Sequence, residues 1–274
     1  MMDPARTRAG DGGTSMGRAV AAVVGAIGAR GGAGTSTVAA VLADGLRRAG
    51  RRTVLVDLET RGGGIDVLLG VDHRDGPRWS DLRDARGAVD GRALAGLLPA
   101  WRHVPVLSAH RSDPVTLDDG VVVDVCSALA DACDVLVLDL PRSVLESTGE
   151  RAGSGGTEHV ALVGACDTLL LVTPLDLPSV AGAVATAALA TRHGAGGALR
   201  LVARRPAPGR LDPWDVSDVV GLPLAGVVAW DRGHAARVER GQGPDVRPRR
   251  PLGRAGTELA VAVGGAGAAS RGAA

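Results

Sequence analysis

The chemistry this chain offers is concentrated in ten residues: Gly28-Ala29-Arg30-Gly31-Gly32-Ala33-Gly34-Thr35-Ser36-Thr37. Glycines clustered between a strand and a helix let the backbone present successive N–H groups at the helix N-terminus. The amides and the helix macrodipole together favour a phosphate there. Carboxylates recur at the ends of two apolar runs, Asp57 with Glu59 after TVLV, and Asp139 within VLVLDL. The chemistry is therefore phosphate binding. The plain alternatives are a tight turn of no chemical use and acids that merely end strands.

Such groups must be held by strands and helices in alternation. Ala21–Ile27 is a short apolar run ending in glycine, as a buried parallel strand would be. Thr37–Ala49 follows with apolar residues at helical spacing and stops at Gly50. Thr53–Leu58 is a second strand and closes a βαβ unit. Further on, Ile65–Leu69 and Arg92–Leu98 suit short helices, Val104–Leu107 a strand, Val121–Ala132 a helix and Val135–Leu140 a strand. His159–Ala165 reads as helix, Thr168–Thr173 as strand and Val180–Arg192 as helix. Leu199–Ala203 and Gly226–Ala229 are the last strands. Uniformly apolar strands alternating with helices predict an α/β fold, a doubly wound, mostly parallel sheet covered on both faces. In such sheets ligands bind at the carboxyl edge, where the glycine turn and the acids fall.

Composition narrows the rest. The 274 residues are 45% apolar, and 31 basic groups nearly balance 30 acidic ones. That balance speaks against a wholly disordered chain and against a life of nonspecific attraction to nucleic acid, so DNA is not an expected partner. There is no Lys, Asn, Phe or Tyr, so every basic residue apart from histidine is arginine and no lysine chemistry is possible. Cys126, Cys133 and Cys166 form no CxxC pair, and the six histidines show no metal-ligand spacing. The longest apolar runs are about eleven residues, too short for the roughly 20 a spanning helix needs. Arg47, Arg48, Arg51 and Arg52 suit the end of the first helix as a solvated face. Arg247, Arg249, Arg250 and Arg254 form a second patch open to DNA or anionic lipid. The tail after Gly253 is mostly small residues, with a weak helix around Glu258–Val263, and lacks the bulky apolar residues of a membrane-binding helix.

ARGGAGTST resembles the deviant Walker A motif, KGGxGK[ST], of the MinD/ParA family of P-loop ATPases, and the resemblance runs from about Arg18 to about Gly243. It implies a P-loop domain over residues 18–250, after a disordered leader at 1–17 and before a weakly helical or disordered tail at 251–274. It implies ATP or ADP with Mg²⁺, bound by Arg30, Gly31, Gly32, Ala33, Gly34, Thr35, Ser36 and Thr37. Ser36 and Asp139 would hold the metal, and Asp57 and Glu59 would occupy the acidic switch positions. Arg30 stands where the family's extra lysine reaches the nucleotide of a second subunit, which implies a nucleotide-dependent homodimer. Thr35 stands where the general P-loop lysine sits. The GTST variant is closest to the CpaE/TadZ branch and to septum-site-determining, CpaE-like proteins encoded beside pilus and secretion genes. Those relatives often carry a receiver-like N-terminal domain, absent from these residues, and share the segments seen as Trp79–Leu82 and Val106–Ser108.

The departures have chemical weight. An ammonium donates charge-assisted hydrogen bonds to phosphate of about 1.5–3 kcal/mol each. Thr35 offers one neutral hydroxyl, so the expectation is retained nucleotide binding with weak or lost hydrolysis. The family's adenine-side Asn near Leu201–Arg204 has no counterpart here, and Arg204 or Arg205 is the candidate to stack on the base. The expected role is spatial regulation, septum placement or positioning of a pilus or secretion apparatus, in the cytoplasm and at most peripheral to the inner face of the plasma membrane. The alternatives are an active ATPase cycling between monomer and dimer, and a scaffold that binds no nucleotide.

Overall fold

The computed structural model describes residues 21–60, 63–85, 89–145 and 158–270. The expected leader at 1–17 lies outside them, as does the stretch beyond Leu145 that would continue from Pro141.

In chain order the elements are β1 (Ala22–Gly28), α1 (Thr35–Arg48), β2 (Thr53–Asp57), α2 (Ile65–Leu69), α3 (Gly91–Leu97), β3 (Ala100–Trp101), β4 (Val104–Leu107), α4 (Asp119–Ala132), β5 (Val135–Leu140), α5 (Glu158–Gly164), β6 (Thr168–Pro174), α6 (Leu177–Ala190), β7 (Leu199–Arg204), α7 (Pro213–Val220), β8 (Leu224–Val228), α8 (His234–Val238) and α9 (Pro251–Ser270). One eight-stranded sheet runs in the order β3-β4-β2-β5-β1-β6-β7-β8. All neighbours are parallel except β3, which pairs antiparallel with β4. This is the doubly wound parallel architecture that the alternation of apolar runs predicts.

Buried strands here are apolar throughout because both faces are covered. In β5, Leu136, Leu138 and Leu140 point into a layer shared with α3, α4, α5 and α6, while Val135 and Val137 point into one shared with α1 and α9. Each fully buried Leu or Val contributes about 1.5–3 kcal/mol, so the strands hold by burial on two sides.

Helix α9 takes in the expected weak helix Glu258–Val263 and extends well beyond it on both sides. It packs along α1 with Leu252, Ala255 and Leu259 buried. Its small residues are what that contact requires. A Cβ on Gly45 of α1 would run into the backbone carbonyl of Gly256, and one on Gly256 would meet Val41 O. The arginines at the end of α1 are not simply a solvated face either. Asp44 is fully buried and takes Arg47 (Nη2, 3.0 Å), Arg48 (Nε, 2.8 Å) and Arg102 of the β3–β4 turn (Nε, 3.1 Å). Arg48 also donates to Gly253 O at 2.8 Å, which fastens α9 to the same acid.

Candidate functional site

The glycine turn follows β1, the strand flanked by β5 and β6 in the middle of the sheet. Gly32 and Gly34 have φ of +72° and +86°, left-handed conformations that favour glycine. Ala33 N–H closes the turn on Arg30 O at 3.3 Å, and Gly34 caps α1 through its backbone, with no side-chain cap. The first N–H groups of α1 therefore meet whatever lies in the turn. A Cβ on Gly28 would stand 2.7 Å from Thr35 Oγ1, so β1 delivers the chain into the turn at close quarters.

The sheet register sets the acids beside it. Asp139 pairs with Ala26 on one side and with Asp57 on the other. Asp139 is buried, and Ser36 lines the same cleft. Burial pushes its carboxyl up to about 6, the nearby Ser36 hydroxyl works in the opposite direction, and the negative charge of Glu59 adds to the rise. Asp57 goes further, to about 8, through burial and then through the adjacent Asp139. It also accepts the N–H groups of Glu59 (2.9 Å) and Ile65 (2.8 Å), which work in the opposite direction. Trp79, fully buried, donates Nε1–H to Asp57 O at 2.6 Å and holds the end of β2 in place. Two buried carboxyls side by side, with a hydroxyl nearby, suit a divalent cation. A cleft of about 190 Å³ opens between Gly31, Gly32, Thr35, Ser36, Glu59 and Asp139. Among the described residues no group of three or more His, Cys, Asp or Glu side chains is set to hold a metal alone. Mg²⁺ in phosphate sites needs one or two carboxylates plus the ligand's own oxygens, so this donor set fits it.

Three arginines stand around the turn: Arg142 lines the cleft itself, and Arg30 and Arg204 flank the glycines. Arg30 is held within its own chain, by Nε on Ser179 Oγ (2.6 Å) and Nη2 on Asp176 Oδ2 (3.3 Å) at the start of α6. Arg204, at the end of β7, donates to Ala33 O at 3.4 Å, and Arg205, more exposed, lines the pocket beside it. Thr37 and Arg204 also line a nearly closed pocket with Val228, Trp230, Asp231 and His234. The sequence reading did not single out Asp231 and His234. Thr37 Oγ1 lies 3.3 Å from His234 Nε2, while His234 Nδ1 and Asp231 Oδ2 are buried without a partner. A turn-forming Trp-Asp-Arg-Gly after the last strand is the only signal the sequence holds for them.

The remaining candidates carry no such chemistry. Cys126, Cys133 and Cys166 are buried, and burial pushes their thiols up to about 12, 11 and 12. Among the described residues no helix is long and apolar enough to cross a membrane.

Residues 21–178 match the family described as cellulose biosynthesis protein BcsQ. An uncharacterised Mycobacterium tuberculosis protein, Rv3660c, is 37% identical over 203 residues, which are 74% of this chain and 53% of that protein. The chain thus spans about half the length of this curated relative. Among solved structures, a ParA family ATPase from Chlorobium tepidum superposes with a TM-score of 0.71 at 20% identity, over 88% of this chain and 98% of that one. The MinC:MinD cell division protein complex of Aquifex aeolicus gives 0.69 at 18% identity, over 89% and 96%. The septum site-determining protein MinD of Pyrococcus horikoshii, complexed with Mg-ADP, gives 0.64 at 19% identity, over 88% and 94%. At these identities the structural likeness speaks for the fold, a MinD/ParA-type P-loop fold.

Proposed function

The chain belongs to the family described as cellulose biosynthesis protein BcsQ, and on that footing we propose that it is a nucleotide-binding spatial regulator with a weakened hydrolytic site. One observation carries the reading: Ser36 and buried Asp139 line one cleft at the foot of a glycine turn that opens a helix. Arg30, Gly31, Gly32, Ala33, Gly34, Thr35, Ser36, Thr37 and Arg204 bind the nucleotide, ATP or ADP. Ser36 and Asp139 hold Mg²⁺, which neutralises charge between the phosphates when bound. Asp57 and Glu59 sit at the catalytic edge. With a threonine where the general lysine would be, the loop lacks a charge for the β- and γ-phosphates, so nucleotide state governs association more than turnover does.

The GTST loop and the segments Trp79–Leu82 and Val106–Ser108 support the CpaE/TadZ-like branch, and with it septum placement or positioning of a pilus or secretion apparatus. A MinD solved with Mg-ADP and another solved with MinC support the ligand and a partner protein respectively. Location follows as cytoplasmic, with membrane contact weak or through a partner. An ATPase cycling between monomer and dimer is the second reading, favoured by Glu59 lining the cleft beside Asp139.

Calorimetry with ATP and ADP, with and without Mg²⁺, tests the proposal. Binding is expected for both, tightened by Mg²⁺, with that tightening lost in Ser36→Ala and Asp139→Asn. No binding at millimolar nucleotide would leave a scaffold that uses no nucleotide.

A further inference from the structure

Arg204 reaches the glycine turn from two strands away, since β7 pairs with β6 and β6 with β1. Its guanidinium fills the space beside the left-handed glycine. A Cβ on Gly34 would stand 2.7 Å from Nε and 2.8 Å from Cζ. The only hydrogen bond it makes to a described residue is the one to Ala33 O. Among the described residues no carboxylate pairs with it. Burial and then Arg30 lower its pKa, and burial and then Arg204 lower that of His234 while Asp231 raises it; Asp231 lines the same pocket but makes no ion pair with Arg204. A half-buried guanidinium without a counter-ion is costly, and the group that would compensate it is an anion.

Of the other cations, Arg142 lines the cleft on the side of Asp139 and Pro141, and Arg30 is engaged within its own chain. Asp176 and Ser179 take the Arg30 guanidinium. Thr35 brings no charge. Gly34 immediately precedes the helix whose N–H groups would hold a phosphate, so an anion on those amides comes to lie against Arg204.

We propose that Arg204 grips the phosphates of the nucleotide on the side of Gly34 and Thr37, supplying the positive charge that Thr35 does not, and is no platform for the base. The assignment rests on the nucleotide reading above and changes what the arginine is for. A forked guanidinium can hold two phosphate oxygens at once, which a threonine hydroxyl cannot.

The test is competition against a fluorescent ADP by ADP, adenosine and inorganic pyrophosphate, with Mg²⁺ present. Wild type is compared with Arg204→Ala, with Arg204→Met, which keeps the stem over Gly34, and with Arg204→Lys. Loss of one charge-assisted contact weakens ADP and pyrophosphate by about 10–100-fold. Adenosine is expected to change less than about twofold. Arg204→Lys keeps most of the affinity, and Thr35→Lys added to Arg204→Met restores it. Thermal unfolding of each variant checks that it is folded, and Arg204→Met carries the comparison should Arg204→Ala not fold. Equal losses for adenosine and ADP, or pyrophosphate binding indifferent to Arg204, would overturn the assignment. If wild type binds ADP but the variants bind it equally well, Arg204 falls and the nucleotide reading stands. If wild type binds no ADP, both fall.

Discussion

On the proposed reading, Thr35 is the residue on which the rate of hydrolysis turns. Removing one preorganised donor from a developing charge typically costs about 10²–10³ in rate. Wild-type turnover is therefore expected below about 1 s⁻¹, the low end of ordinary enzymes. Thr35→Lys should raise it by about 10²-fold under saturating Mg-ATP, because Ser36, Asp139 and the turn are already placed. A phosphate-release assay reads the difference, and an unchanged rate would mean that the acids at the cleft are not set for hydrolysis. At this scale much of the site was legible in the sequence. Glycines, Ser36 and Asp139 announce themselves by their place between a strand and a helix. The partners of Arg30 did not, since Asp176 and Ser179 lie about 150 residues on and reach it only because β6 is the neighbour of β1. Asp231 and His234 were missed for the same reason, brought in by β8 and its following turn.

Helices show where apolar patterning stops being informative. Strands of Val and Leu were readable to within a residue or two, and the helices that the pattern did predict, α9 apart, to within three, α6 starting at Leu177 where the pattern begins at Val180. Helix α7 went unread although Asp212 caps it, Pro213 opens it and Gly221 ends it, because its eight residues carry too short a pattern. The antiparallel β3 has two residues and a turn through Arg102 and His103, both at positive φ, with no glycine to mark it. Helix α9 reads as weak in isolation because its glycines and alanines bury little, yet those residues are what lets it lie against α1. The consequence has a sign. Glycine to alanine inside a helix normally stabilises by about 0.5–1 kcal/mol. Gly45→Ala should instead destabilise, because overpacking at a rigid backbone contact costs about 1–3 kcal/mol. A urea midpoint that falls while the slope holds would show it. A midpoint that rises would mean the helices can part to admit a methyl group.

The whole molecule meets a second copy, on the proposed reading, across the face that carries the turn. Arg30 is 45% exposed there but engaged with α6 of its own chain. For Arg30 to reach another subunit's nucleotide, Asp176 must give it up, and an exposed ion pair of this kind is worth no more than about 1 kcal/mol. Light scattering should therefore show the mass doubling with Mg-ATP in wild type and not in Arg30→Ala. Asp176→Ala should dimerise at lower nucleotide concentration than wild type. An unchanged mass in all conditions, or a dimer indifferent to Arg30, would count against a cross-subunit role.

The pairing of α1 with α9 also fixes an order of events during synthesis. Within this domain helix α1 precedes nearly every other element and the helix that covers it follows them, with Gly45 and Gly256 separated by most of the described residues. Until the second arrives, Val38, Val41 and Leu42 have only the sheet to cover them. Contacts this distant in sequence form slowly. The emerging chain thus carries an open apolar seam along α1 while the elements between α1 and α9 are made, and this is the surface a chaperone would be expected to shield.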